Sequence, residues 1–266
     1  MLGRGAGEEA LMKRAWLIAV LFLAGCVTPD VVPTETVRDL APSGRLRAAI
    51  NFGNTVLAQK EPLGGVSIDL ARELARRLAV PIELVTYDAA GKVTADATRG
   101  AWDIAFVARD PERAKDIEFT DAYVIIEGGY MVPSGSPIKK IEDVDRQGVR
   151  IAVGRGSAYD LYLSREIKRA TLVRAPTSPA AIELFARDGL EVAAGVKQPL
   201  VVYARTHPGV RVLEGRFMAI EQAVATPRGR ALGARYLREF IDEMKASGFV
   251  AAALERSGQK DAALAP

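Results

Sequence analysis

The chain has 266 residues, of which 49% are apolar, 26% charged and 6% aromatic, an ordinary globular composition with room for one large or two medium domains. A net charge of +3 is small for this length, and the basic residues interleave with acids, which argues against a nucleic-acid surface. The single cysteine, Cys26, excludes an internal disulfide and a cysteine-based metal cluster, and the single histidine, His207 in "RTHPGVR", reads as a solvated turn residue with no Gly-x-Ser-x-Gly elbow elsewhere to pair with it.

The first informative segment is "MKRAWLIAVLFLAGC" (12–26): Lys13-Arg14, an apolar run from Ala15 to Ala24, then Gly25-Cys26. The run is shorter than the about 20 residues that span a bilayer. Its charge, length and small-residue end fit an export signal. Met12 is a natural start for such a signal, so the true start codon is either Met1 or Met12. Residues 27–44, "VTPDVVPTETVRDLAPSG", are rich in Pro, Thr and Asp and read as a flexible tether.

From Arg45 strands and helices alternate. "LRAAI" (46–50) reads as a strand. "SIDLARELARRL" (67–78) places Ile68, Ala71, Leu74, Ala75 and Leu78 on one face and Arg72, Glu73, Arg76 and Arg77 opposite, an amphipathic helix. "IELVT" and "DIAFV" read as the next strands. A second series follows: strand "VRIAV" (149–153), a helix from Ser157, strand "TLVRA", a helix from about Ser178 and strand "VAAGV" (192–196). "ARYLREFIDEMKASG" carries Tyr236, Leu237, Phe240, Ile241 and Met244 at helical spacing and closes on Gly248. This alternation predicts the α/β class, with two series breaking near residue 132. Ligands of such sheets sit at the carboxyl ends of strands. Two loops stand there: "ARDPER" (108–113) after "DIAFV", and "GRGS" (154–157) after "VRIAV".

Four stretches, in order and spacing, resemble the bacterial extracellular solute-binding proteins of the polar amino acid type (family 3), the receptors of ABC importers. They are "GGVSIDLARELARRL", "WDIAFVARDPERAKDIEFTDAY", "GVRIAVGRGSAYDLYL" and "GLEVAAGVKQPL". The resemblance spans roughly residues 45–257. It implies a two-lobed periplasmic-binding-protein type II fold with two hinge crossings, at "EGGYMVPSG" (127–135) and "IEQAVATPRG" (220–229). Lobe 1 is then 45–131 plus 225–260 and lobe 2 is 132–224. The "LAGC" ending of 1–26 resembles a bacterial lipobox, which implies lipidation of Cys26, a cell-envelope or periplasmic location and a membrane permease as partner. No cofactor, metal or nucleic acid is expected.

The same resemblance implies that Arg113 pairs with a ligand carboxylate, which suits a planar fork of always-charged donors; the alternative is a surface ion pair with Glu112 or Asp116. Ser157 is an N-cap candidate at a helix end suited to an anion, or a cap with no ligand. Asn51, Asn54, Ala108 and Arg109 complete the expected contacts, Asn54 standing where the family commonly has an aromatic cover. Where the family commonly has an aspartate for an α-ammonium, "VAAGVKQP" supplies Val196 and Lys197. Two like charges 4 Å apart cost about 4 kcal/mol at an effective dielectric near 20. Lys197 therefore favours an organic acid over an amino acid, unless it points to solvent or Glu127 or Glu221 intervenes. The chain is expected to be a receptor and not an enzyme. The alternatives are a cyclohexadienyl-dehydratase-like enzyme using an acid such as Asp88, Asp110 or Glu127, or a sensory module on the same fold.

Overall fold

The computed structural model describes residues 31–259 and 262–266. In chain order these are α1 (Thr34–Leu40), β1 (Leu46–Asn51), a small hairpin β2 (Gln59–Lys60) and β3 (Leu63–Gly64), α2 (Val66–Arg77), β4 (Ile82–Tyr87), α3 (Ala90–Ala95), β5 (Ile104–Ala108) and the long β6 (Ile117–Pro133). Then come β7 (Arg150–Gly154), α4 (Ala158–Glu166), β8 (Thr171–Ala175), α5 (Ser178–Asp188), β9 (Val192–Val196), α6 (Lys197–Thr206) and β10 (Val210–Val212). The chain closes with β11 (Met218–Pro227), α7 (Ala231–Ala246), α8 (Phe249–Arg256) and β12 (Ala263–Leu264).

The strands form one mixed sheet in the order β4-β1-β5-β11-β6-β9-β7-β8, with β10 and β12 also on β6. Its wings are parallel: β1 with β4 and β5 on one side, β7 with β8 and β9 on the other. Between them, β6 and β11 pair antiparallel with each other, β11 pairs β5, and β6 pairs β9. The boundaries expected at 131/132 and 224/225 therefore fall inside two continuous strands that belong to both wings. Parallel wings need helical cover on both faces, and their strands are apolar throughout, as in β5, where every residue is buried.

Helix α2 begins at Gly65, whose φ of 115° and close approach to Leu57 O leave no room for a Cβ. It buries Ile68, Leu70, Ala71, Leu74 and Ala75. On its outer side Glu73 accepts from Arg76 and Arg77, and Arg77 reaches Glu243 on α7 at 2.5 Å. The Arg76 hydrogen bond leads in holding the Glu73 carboxyl down from its ordinary 4.5 to about 2. Across the same half, Arg256 on α8 pairs with Asp69 at 2.8 Å. The C-terminal helices thus pack against the wing that contains α2.

The tether expected over 27–44 is overturned for its second part. Thr34–Leu40 is helical, Leu40 is fully buried, and Asp39 Oδ2 accepts from the N–H groups of Leu232 and Gly233 at 3.0 and 3.1 Å. Arg230, at the N-cap position of α7, gives no side-chain cap, so a carboxylate from another element satisfies the orphan donors. Pro33, read as a linker signal, instead immediately precedes α1, and Asp39 caps α7. Residues 27–30, Cys26 and the export-signal segment lie outside the described residues.

Two outcomes follow from these contacts. Asp39→Ala removes a cap and is expected to cost about 1 kcal/mol, read from urea midpoints at unchanged slope. Because the folded value of Glu73 lies below its unfolded one, its contribution is complete above pH 4.5 and is lost as pH falls towards 2. Glu73→Gln is therefore expected to flatten the acid limb of the stability curve over that interval.

Candidate functional site

Strand β5 stops at Ala108 because the loop after it folds on itself. Asp110 Oδ1 accepts from Glu112 N–H at 2.8 Å, Ala114 N–H donates to Asp110 O at 3.0 Å, and a 3-10 turn over Arg113–Lys115 follows. This turn directs Arg113 inward, to 4% exposure. Its Nη1 donates to Ala108 O and its Nη2 to Gly156 O, both at 2.8 Å. Its Nε is buried with no acceptor. Neither acid of the loop reaches it: Asp110 Oδ2 accepts from Arg165 Nη2 at 2.9 Å, and Glu112 pairs with Lys115. Among the described residues Arg113 has no ion pair. Burial pushes its pKa down to about 10, and Asp110 works in the other direction. It is thus still a cation at neutral pH, buried without a counter-charge.

The second wall comes from the β7–α4 junction. Gly156 has a φ of 68°, which turns the chain sharply into α4. Ser157 is the N-cap, its Oγ accepting from Asp160 N–H at 3.0 Å. Asp160 Oδ2 accepts from Gly156 N–H at 2.8 Å, and its Oδ1 from Arg174 Nε at 2.9 Å. Ser157 is therefore a working cap, and its side chain also lies against the Tyr159 phenol. The backbone N–H groups of Ala158 and Tyr159, in the first turn, have no acceptor among the described residues. Tyr159 OH donates to Ser178 Oγ at 2.7 Å, tying α4 to the start of α5.

These walls line a small cavity of about 40 Å3. Five of the expected contacts line it: Asn51, Asn54, Ala108, Arg113 and Ser157. Asn51 Oδ1 accepts from Gly53 N–H at 3.0 Å and shapes the turn that presents Asn54. Phe52 does not line the cavity and sits instead under the Lys60 ammonium at 5.5 Å. Two expectations are corrected. Arg109 lies outside, between Asp121 at 3.4 Å and Glu221 at 3.5 Å. Lys197 is also outside: its Nζ pairs with Glu127 Oε2 at 2.9 Å, and its stem rests over Gly129. The like-charge argument built on Lys197 therefore loses its basis, because Glu127 neutralises that ammonium.

Sequence reasoning missed Tyr159, Ser178, Gln222 and Phe106. Ser178 had a usable signal, since it follows strand β8 just as Ser157 follows β7. Gln222 had none: it lies in the antiparallel β11, opposite Ala108, where side-chain alternation alone does not say which face meets a ligand.

The comparisons with known proteins fit this architecture. The model of "Bacterial extracellular solute-binding proteins, family 3" matches residues 53–260. The chain belongs to this family. Among solved structures, an arginine-binding protein mutant (P235GK) from T. maritima superposes with a TM-score of 0.71 at 18% identity, covering 85% of this chain and 100% of that one. A solute receptor for L-cysteine from Neisseria gonorrhoeae gives 0.71 at 21% identity, covering 83% and 92%. The ancestral amino acid-binding protein AncCDT-1, a precursor of cyclohexadienyl dehydratase, gives 0.69 at 21% identity, covering 83% and 98%. No curated protein matches the chain by sequence. As in other solute-binding proteins of the type II fold, two strands cross between the wings, here β6 and β11, and the cavity lies beside them.

The walls meet at two glycines. A Cβ on Gly91 in α3 would lie 3.0 Å from Arg155 O and 3.1 Å from Gly156 Cα. Gly91→Leu is therefore expected to hold the walls apart, raising the radius of gyration in small-angle scattering with far-UV circular dichroism unchanged. An unaltered radius would show that the contact is not what sets the closed spacing.

Proposed function

We propose that this protein is a lipid-anchored periplasmic receptor. It captures a small carboxylate-bearing ligand in the cleft and delivers it to the membrane permease of an ABC importer. The single observation that carries the reading is Arg113. A buried cation without a counter-charge is costly, and a ligand carboxylate compensates it. With Nη1 and Nη2 each making one bond and Nε none, three of the five N–H donors, Nε–H among them, have no acceptor among the described residues and are open to charge-assisted bonding. On the opposite wall the first turn of α4, a helix of nine residues, offers the N–H groups of Ala158 and Tyr159 and the positive end of the helix. Anion recognition is thus divided between the two wings, which couples capture to closure.

The named ligands of the neighbouring structures are amino acids, and all of those proteins carry less than a quarter of their residues in common with this chain. Fold likeness at that level leaves the ligand to the site. The "LAGC" ending at Cys26 supports the anchor, and the family's extracellular role supports the location and the permease partner. A second anionic group opposite Lys197 is no longer part of the reading.

The dehydratase-related neighbour raises an enzymatic reading. Elimination needs a positioned acid–base group. The titratable side chains lining the cavity are Arg113 and Tyr159, and burial raises the Tyr159 phenol above its ordinary value. Neither makes a base at neutral pH, and a receptor fits the site better.

The test is thermal-shift screening with separate panels of amino acids and organic acids. A ligand at 100 times its dissociation constant adds about 2.7 kcal/mol of stability. Arg113→Met is expected to abolish the response while not lowering the ligand-free midpoint, since it removes an uncompensated charge. Arg113→Lys keeps the charge and loses the fork, so affinity should fall about tenfold, equivalent to about 1.4 kcal/mol. A ligand response that survives Arg113→Met would sink the carboxylate role.

A further inference from the structure

A second cavity of about 420 Å3 adjoins the first and shares with it the walls formed by Gly53, Asn54, Tyr159, Ser178 and Val196. Its own walls come mainly from α5 and α6, where Pro179, Ile182, Pro199, Leu200 and Val202 give it a largely apolar surface, with uncharged polar groups at Thr55, Gln198, Tyr203, Thr206 and Gln259. Among the described residues no charged side chain lines it. Arg113 is, among the described residues, the only charged side chain lining either cavity.

Resting on the reading of Arg113 as the carboxylate site, we propose that the ligand is a monocarboxylate with an apolar body and no ammonium. The carboxylate meets Arg113, and the body extends past Asn54 and Tyr159 into the second cavity. Three observations converge on this. The chamber next to the cation is largely apolar, so it gains from burying hydrocarbon and offers no counter-charge to a second charge. The acids on the segments around the cleft are already engaged: Asp88 with Lys92, Asp110 with Arg165, Asp160 with Arg174 and Glu127 with Lys197. An α-ammonium would therefore be desolvated beside a guanidinium with no counter-charge of its own. Finally, the Asn54 carbonyl oxygen is buried without a partner on the wall shared by both cavities. A hydroxyl or an ammonium beside the carboxylate would satisfy it, and of the two only the hydroxyl does so without adding charge.

Three probes isolate these points because they differ only at the second carbon: 3-phenylpropanoate (hydrogen), 3-phenyllactate (hydroxyl) and L-phenylalanine (ammonium). Lactate supplies the same head without the body. By isothermal titration calorimetry, 3-phenyllactate is expected to bind at least as tightly as 3-phenylpropanoate, and about ten- to a hundredfold more tightly than lactate, from burial of the ring. L-phenylalanine is expected to be weaker than 3-phenyllactate by about a hundredfold, from the uncompensated ammonium. Ile182→Trp fills the second cavity and should cost 3-phenyllactate at least tenfold while leaving lactate unchanged. Val202→Asp, at a position 60% exposed and so tolerant of polarity, places a carboxylate at the mouth and should act in the same direction. L-phenylalanine binding as tightly as 3-phenyllactate overturns the inference. So does lactate binding as tightly as 3-phenyllactate, or two cavity variants that leave 3-phenyllactate unaffected; in each of these results the Arg113 site stands. If no carboxylate binds at all, the Arg113 reading has failed and the inference falls with it.

Discussion

A guanidinium buried without an acid beside it constrains everything around it. Arg113 cannot shed its proton at neutral pH, and its two terminal nitrogens are held by carbonyls that belong to different wings, Ala108 O after β5 and Gly156 O after β7. Carbonyl dipoles soften the cost of burial but do not replace a counter-ion. The geometry therefore depends on the loop that carries Arg113 being rigid, and its rigidity is local: the Asp110 turn, the 3-10 turn and the Arg109 N–H bond to Glu221 O at 2.8 Å. Asp110 serves this loop twice, since its second oxygen reaches Arg165 on α4. The same carboxylate that shapes the turn thus also ties it to the opposite wall. Had Asp110 instead paired with Arg113, the cation would have been neutralised internally and the cleft would have little claim on an anion.

The sheet supplies the frame in which those two loops can face each other. Parallel wings place strand ends, and hence loops, on a common edge. The antiparallel pair β6 and β11 lets the chain pass between wings, and where bulges over Gln222–Ala225 interrupt the ladder, Val224 N–H donates to Thr120 Oγ1 at 3.1 Å. Well below the cavity, Asp103 anchors the frame: fully buried, it accepts from Arg47 at 2.9 Å and from Arg230 at 3.0 Å, joining β1, the entry to β5 and the entry to α7. Asp103 and Arg113 bracket β5, one charge fully paired at the strand's start, the other left open at its end. The contrast is between a buried charge with two ion-pair partners and one with none among the described residues.

Much of this was readable from the sequence, for identifiable reasons. Helix α2 and the late helix α7 have strict 3.6-residue periodicity over long runs, and the strands of both wings are apolar runs bounded by breakers. The two ligand loops were visible because a buried strand ending in Arg-Asp-Pro-Glu-Arg or Gly-Arg-Gly-Ser must place those residues at an edge. Helix α1 was not, because its composition is that of a linker and its stability comes from Leu40 and Asp39 meeting α7, some 190 residues later in the chain. Lys197 and Arg109 were misplaced for a related reason. Sequence order puts both next to the cleft, but the direction of each side chain is decided by acids on other elements, Glu127 on β6 for one and Asp121 and Glu221 for the other.

The corrected position of Lys197 changes what the missing aspartate means. With Lys197 in the cleft, the absence of an acid over 192–199 would have signalled repulsion of an ammonium by a second cation, and hence preference for an organic acid over an amino acid. With Lys197 paired to Glu127, the same absence signals something milder: the place is not positive but apolar and neutral. A neutral wall discriminates by desolvation and not by Coulomb repulsion, so it penalises an added carboxylate as well as an ammonium. What the two walls tolerate together is one negative charge at Arg113 and, beyond Asn54, uncharged matter.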